Sequence, residues 1–306
     1  VRIEHTDQGY TLKFPTGNAA PEGNQRYTDI LPSFHAKYAI HSNGNLRFSY
    51  ARAINRPSFF EIVPYSIINE DYKEKGNPEL KHTVADNIDL RYEFFPRSSE
   101  QLMVGLFYKN IKDPIEYGLL NEGQDTYYKP MNFGTANNWG LEVDILKYFN
   151  WLGIKANYTY TYSKITTEKR VMQGSEVTTT TQSRPLFGQA AHVANISFLL
   201  KDSKHGWEGQ LAMGYTGKRL SDISNWADND IWEKGYTQLD ASIEKTLPRG
   251  FCLFLKASNL LNIPVLRYVH QSERTANVDS ERDNSNLVER KSWHGQSLMI
   301  GARFRL

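Results

Sequence analysis

No disulfide framework can hold this chain together, because Cys252 is the only cysteine in its 306 residues. It lies within F-C-L-F-L-K, a mid-strand setting that suits a small packing residue better than a reactive thiol. No apolar run approaches the roughly 18–20 residues of a membrane-spanning helix, and mean hydropathy is −0.57. No charge of one sign dominates: 36 Lys and Arg face 34 Asp and Glu, and the net charge of +2 gives no electrostatic case for nucleic acid. The chain opens on Val1 without an initiator methionine or a basic-apolar-small signal segment. For an exported protein, this leads us to expect an interior or C-terminal portion.

Signatures of chemistry are also missing. The eight histidines are scattered, without H-E-x-x-H or paired ligand spacing, so neither a metal nor a cofactor is expected. Gly209–Gly214 has the glycine spacing of a phosphate loop but is followed by Tyr215, not Lys. There is no G-x-S-x-G. Asn157-Tyr158-Thr159 and Asn195-Ile196-Ser197 are formal glycosylation sequons inside strand patterns and are discounted. Acidic pairs two residues apart, such as Glu142 and Asp144, fit a hydrated wall better than a catalytic dyad. The sequence does not read as an enzyme.

Aromatics are plentiful, at 13% with 18 tyrosines, and so is strict alternation. In Ser297–Leu306, Leu298, Ile300, Ala302, Phe304 and Leu306 fall on one face, with Ser297, Met299, Gly301, Arg303 and Arg305 on the other. Successive side chains of a strand point to opposite faces, and the chain repeats such a strand about a dozen times. The most informative is Ile88–Phe94, where Ile88, Leu90, Tyr92 and Phe94 alternate with Asp89, Arg91 and Glu93. Burying three unpartnered charges in a sandwich core would be prohibitive, whereas a watery lumen accepts them. A Tyr-rich secreted β-sandwich is the competing all-β reading.

The connections decide between them. Those near 41–45, 96–100, 148–153, 201–206 and 246–250 are short; those near 15–26, 55–82, 121–126, 167–188, 219–235 and 264–295 are mostly long, and the two kinds alternate. All short turns therefore lie at one end of the sheet, as in outer-membrane barrels, whereas a Greek-key sandwich does not sort its loops by parity. An Arg facing lipid near the midplane would cost about 2–4 kcal/mol. Arg47, Asp89, Arg91, Glu93, Glu142, Asp144, Lys155, Asp240, Glu244, Arg303 and Arg305 are accordingly placed in the lumen. Tyr and Phe would mark interfacial girdles. The fold class predicted is all-β, an antiparallel transmembrane β-barrel with about 12 strands in this chain.

Several segments, in order, resemble the C-terminal barrel portion of TonB-dependent outer-membrane receptors, and most closely their "outer membrane protein beta-barrel" branch. The carriers are Ser49-Tyr50-Ala51-Arg52-Ala53-Ile54-Asn55-Arg56-Pro57-Ser58, Gly76-Asn77-Pro78-Glu79-Leu80 and Leu90-Arg91-Tyr92-Glu93. Then come Asn132-Phe133-Gly134, Trp139-Gly140-Leu141-Glu142-Val143, Arg184-Pro185-Leu186-Phe187-Gly188-Gln189 and Asn259-Leu260-Leu261-Asn262. The resemblance spans nearly the whole chain. It implies the second half of a barrel of about 22 strands filled by an N-terminal plug. It also implies import of a scarce nutrient (siderophore, oligosaccharide or peptide), driven by the TonB complex across the outer membrane of a Gram-negative bacterium. The plug and TonB-contacting segment are not in these residues, and the last residue is Leu306 where the family usually ends on an aromatic. On this reading residues 1–306 alone would expose two sheet edges and are expected not to fold stably.

Ligand contact is expected from loop aromatics and a cation: Arg56, Tyr65, Tyr72, Tyr127, Tyr128, Trp226, Trp232 and Trp293. Rings stack on sugars or aromatics, and Arg grips carboxylates; loop-on-loop packing is the plainer use of each. A porin-like channel without a plug and a barrel enzyme are the functional alternatives.

Overall fold

The computed structural model describes residues 1–15, 20–68, 72–122, 125–270 and 286–304. Arg305 and Leu306, and the middle of the last long connection, lie outside the described residues.

Alternation in sequence becomes two-facedness in space. With strands numbered along the chain, the wall is a 12-stranded sheet. Its members are β3 (Ser33–His41), β4 (Gly44–Asn55), β7 (Thr83–Phe94), β8 (Gln101–Lys112), β11 (Thr135–Phe149), β12 (Leu152–Gln173), β13 (Glu176–Arg184), β14 (His192–Asp202), β15 (Trp207–Thr216), β18 (Tyr236–Thr246), β19 (Phe251–Ser258) and β22 (Ser297–Phe304). Its order is β22-β19-β18-β15-β14-β12-β11-β8-β7-β4-β3, an antiparallel meander, with β13 paired to the distal half of β12. The remaining strands are β5 (Ser66–Ile68), β6 (Lys73–Lys75), β9 (Ile115–Glu122), β10 (Asp125–Asn132), β16 (Arg219–Ser224), β17 (Ile231–Glu233), β20 (Val265–His270) and β21 (Asn286–Ser292). They form a second, eight-stranded sheet. A separate hairpin joins β1 (Arg2–Thr11) to β2 (Glu22–Leu31).

Register makes the two faces continuous across the wall. Leu46, Tyr92, Val104, Val143, Tyr158 and Ala194 stand side by side over six strands. One residue along, Arg47, Arg91, Gly105, Glu142 and Thr159 form the opposite row. Among the described residues nothing packs on the apolar face: Leu106 is 56%, Phe198 42% and Ile300 76% exposed. So extended an apolar surface calls for a non-aqueous neighbour. On the other face charges are paired laterally, Arg47 with Glu93 at 2.7 Å, Arg52 with Asp86 at 2.8 Å, Arg91 with Glu142 at 3.2 Å and Arg303 with Glu244 at 2.5 Å. Arg91 reaches Glu142 over the intervening strand because Gly105 lies between them without a side chain. All ten described residues assigned above to the lumen share this face. Cys252 also lies on it, fully buried, with its Sγ 3.6 Å from Thr246 Oγ1.

The ends differ as the connection lengths require. β3–β4, β7–β8, β11–β12, β14–β15 and β18–β19 are joined by short turns, and the exposed aromatics Phe149, Trp151, Trp207 and Phe251 gather there. Every strand of the second sheet belongs to a connection at the opposite end; we call it the cap.

Four details depart from an even meander. The alternation through Ile30–Ile40 is broken at Pro32, whose carbonyl accepts the Arg52 N–H at 3.0 Å, so β2 pairs with β1 and only β3 joins the wall. Tyr127–Phe133 is not a returning wall strand; β10 pairs with β9 inside the cap. The Thr-rich connection is a hairpin, with β12 running to Gln173 and β13 folding back on it. The first strand also stops at Thr11, short of Phe14.

Candidate ligand site in the cap

The segments that stood out in the sequence are the clasps between wall and cap. At Gly76 a Cβ would run into the Val63 carbonyl oxygen, so only glycine fits. Next to it Asn77 donates its N–H to Glu61 O at 2.6 Å, and its Nδ2 to Pro130 O on β10 at 2.9 Å. Asn132 Oδ1 accepts the Lys81 N–H at 2.8 Å, while its Nδ2 donates to Asp113 O at 2.8 Å. Arg184 grips Glu116 on β9 through two bonds of 3.2 and 2.9 Å, and Glu116 also accepts the Phe187 N–H at 2.6 Å. Asn259 and Asn262 take positive φ, and Asn259 ties its N–H to Asp240 Oδ1 at 2.8 Å and its Nδ2 to Gly295 O at 2.6 Å.

These clasps fix a hairpin, β9–β10, whose faces differ. Tyr117, Leu119, Tyr128 and Pro130 share one face; Glu116, Leu120, Lys129 and Met131 share the other with Tyr127. On the first face Tyr128 stacks on Tyr117 with centroids 5.1 Å apart, and Tyr72 leans on it at 5.3 Å. Tyr65 adjoins, donating its O–H to Glu74 Oε1 at 3.0 Å. Burial pushes the phenols of Tyr65, Tyr117 and Tyr128 up to about 12; the Glu74 hydrogen bond adds to the shift at Tyr65, Glu61 and Glu74 at Tyr117, and neighbouring tyrosines at Tyr128. At neutral pH all three stay protonated; the Tyr65 hydroxyl is held by Glu74 and that of Tyr117 by Glu61, so the cluster offers ring faces together with the Tyr128 hydroxyl, the chemistry that holds a flat, oxygen-rich ligand.

The second face is buried against the distal half of β12. Beside the Arg184–Glu116 pair, Lys169 reaches Asp230 at 2.5 Å and Ser224 O at 2.7 Å, with both charged side chains nearly inaccessible. Loss of water pushes the Lys169 ammonium down, and Asp230 opposes that.

Of the eight expected contact residues, the structure brings Tyr65, Tyr72 and Tyr128 together. Tyr127 lies on the opposite face, under Lys75 at 4.8 Å. Arg56 is occupied, bonded to Glu4 and to Thr6 Oγ1 at 2.8 Å, where it ties the β1–β2 hairpin to the wall. Trp226 makes a backbone bridge with Arg170, Trp232 lies under Lys218 at 5.0 Å, and exposed Trp293 lies under Lys291 at 4.9 Å. Tyr117 and Arg267 were missed. Arg267 pairs with Asp222 and Glu289, and its charge acts on Tyr128. Reading 115–132 as a hairpin would have placed Tyr117 near Tyr128; nothing local marks Arg267.

A wide antiparallel meander with one apolar and one charged face, clasped at one end to a cap, is the wall of a large β-barrel. Solved structures agree on the fold. The siderophore receptor PiuA from Acinetobacter baumannii superposes with TM-score 0.63 at 16% identity, over 95% of this chain and 38% of that one. A ferric enterobactin receptor (PfeA) mutant from Pseudomonas aeruginosa gives 0.56 at 16% identity, over 92% and 42%. The siderophore receptor PirA from Pseudomonas aeruginosa gives 0.55 at 15% identity, over 92% and 44%. The chain thus spans less than half the length of these receptors. No curated protein matches it. Residues 1–260 match the family described as TonB dependent receptor-like, beta-barrel, and the chain belongs to that family.

Proposed function

We propose that this chain forms wall and cap of an outer-membrane receptor that binds a large, scarce nutrient and imports it. The carrying observation is the division of labour in the fold: an uncovered apolar face for lipid, a paired-charge face for a lumen, and every elaborated connection at one end. That end faces outward, since barrels of this kind keep their short turns on the periplasmic side. In this reading the Tyr65–Tyr72–Tyr117–Tyr128 face meets the ligand, and the charged wall holds a plug that TonB remodels. The neighbours named above support a ferric-siderophore type of ligand, whose flat catechol or hydroxamate groups suit phenol donors and ring faces.

The test is uptake under iron limitation by cells lacking the gene for the full-length protein, complemented with wild type or with Tyr117→Ala/Tyr128→Ala. Wild type should restore uptake of an iron–siderophore complex; the variant should reach the outer membrane at the same level and bind that complex at least about tenfold more weakly. Uptake unaltered by deletion, or equal binding by the variant, would overturn the assignment.

A further inference from the structure

A cavity of about 630 Å3 opens on the face of β9–β10 turned away from Tyr117 and Tyr128. Its apolar floor is Leu120, Met131, Phe133 and Ile223. One wall is the distal part of β12, where β11 has already turned off: their register ends with Ala136 opposite Ile165. Along this edge the even-numbered residues aim their backbone groups to the vacated side. Arg170 sets the phase, since its N–H donates to Asn225 O and its carbonyl accepts from Ala227 N–H, both at 2.8 Å. Odd-numbered Thr161 donates the opposite way, to Ala191 O at 2.9 Å. Backbone groups of a strand alternate sides; the Thr166 N–H still serves the last β11 pairing, beside Ala136 and Ile165, so it is the Thr166 C=O and the N–H and C=O of Glu168 that face the cavity, with no bond to them from a turn or loop among the described residues.

Two side-chain oxygens reinforce this edge. Thr167 Oγ1 and Asn225 Oδ1 are buried, line the cavity and have no hydrogen-bond partner among the described residues; Thr167 is only 5% exposed. Buried polar groups in folded proteins are nearly always paired. Lys169, the buried cation of the lining, is already neutralised by Asp230, and the exposed Glu168 and Arg170 at its edge carry opposite charges, so the lining as a whole calls for no ionised ligand.

We infer that this cavity is a strand-addition site for a short, extended, uncharged peptide, which pairs with the Thr166–Glu168 edge and donates amide N–H groups to Thr167 and Asn225. An acceptor, a donor and an acceptor in line, Thr166 C=O, Glu168 N–H and Glu168 C=O, match a short stretch of peptide backbone; the hydroxyls of an oligosaccharide keep no such spacing. The volume lies within the roughly 300–1,000 Å3 of ligand cavities. The site uses the other face of the hairpin from the tyrosines and stands independently of what those bind.

The experiment is calorimetric titration of the full-length receptor in detergent with the probe Ac-Thr-Leu-Thr-Leu-NH2, its counterpart N-methylated at alternate amides, and maltotetraose. Binding of the probe, weakened at least about tenfold by N-methylation, is the expected result. Thr167→Val should weaken the probe by a similar factor while unfolding at the same or a higher temperature, because it removes an orphaned oxygen. Glu168→Pro should do likewise, since proline is tolerated where an edge N–H points outward; if it does not fold, Thr167→Val carries the test. Equal affinity for the N-methylated peptide, binding of maltotetraose instead, unchanged affinity in Thr167→Val, or no binding of the probe would each overturn the inference. Iron–siderophore uptake would be untouched by such a failure, which separates it from failure of the receptor reading.

Discussion

Glu116 ties the cap hairpin to the wall: it takes two bonds from Arg184 of β13 and one from the Phe187 N–H while almost fully buried. Removing one partner of such a pair strands a desolvated charge, which costs about 3–5 kcal/mol, whereas replacing both by apolar groups is often neutral. Arg184→Met should therefore lower the unfolding temperature of the purified full-length protein, and Arg184→Met/Glu116→Leu should restore much of it. A double variant no better than the single would show that the pair does not act as a unit. Tyr65, Tyr117 and Tyr128 carry a second prediction. Their folded pKa of about 12 exceeds the free phenol value, so their contribution to stability is complete below about pH 10. It should be lost as pH rises from there towards 12, because only the unfolded chain ionises freely. Absorbance at the tyrosinate band should show a late-titrating set, smaller in Tyr65→Phe.

Elements were legible in proportion to their length and to the contrast between their two faces. β7, β8, β11, β14 and β22 show clean alternation because each stands between two unlike surfaces, and the parity of their turns followed from composition alone. The cap strands were not legible. β5, β6 and β17 have three residues each, too few for a period, and the bridges that build the sheet, β10 with β6 and β16 with β9, are parallel pairings between distant segments. The motifs that carried the resemblance were visible without their purpose: Asn77 and Arg184 read as loop residues, and Asn132 as part of a strand, but all three act as clasps. One such position can be tested directly. A Cβ on Gly140 would overlap the Tyr160 carbonyl oxygen and the Phe107 ring, so Gly140→Ala should break the β11–β12 pairing and reduce folded protein in the outer-membrane fraction. Wild-type amounts of heat-resistant protein would contradict this. Tyr127 was grouped with Tyr128 for want of a pairing register; one residue of offset puts it on the opposite face.

At the scale of the molecule, wall and cap answer to different demands. The wall repeats one rule across its strands, and the cap holds nearly all the irregularity. Excision within the cap should thus spare the wall. Deleting Arg219–Gly235 from the full-length protein should leave membrane insertion intact, as read by heat-modifiable migration in gels, while abolishing binding of an iron–siderophore complex, since β16 carries the bridge to β9. Retained affinity would remove this part of the cap from the site.

The row in which Gly105 lets Arg91 reach Glu142 has a further meaning for the lining. Where cations and anions are neutralised sideways, the potential above the wall falls off within about the spacing of the pairs, and a charged solute beside them feels little net pull in either direction. Such a surface is electrostatically quiet: polar, yet indifferent to the sign of a nearby charge. In the receptor proposed above, discrimination between anionic and cationic cargo would then fall to the cap, before the wall is reached.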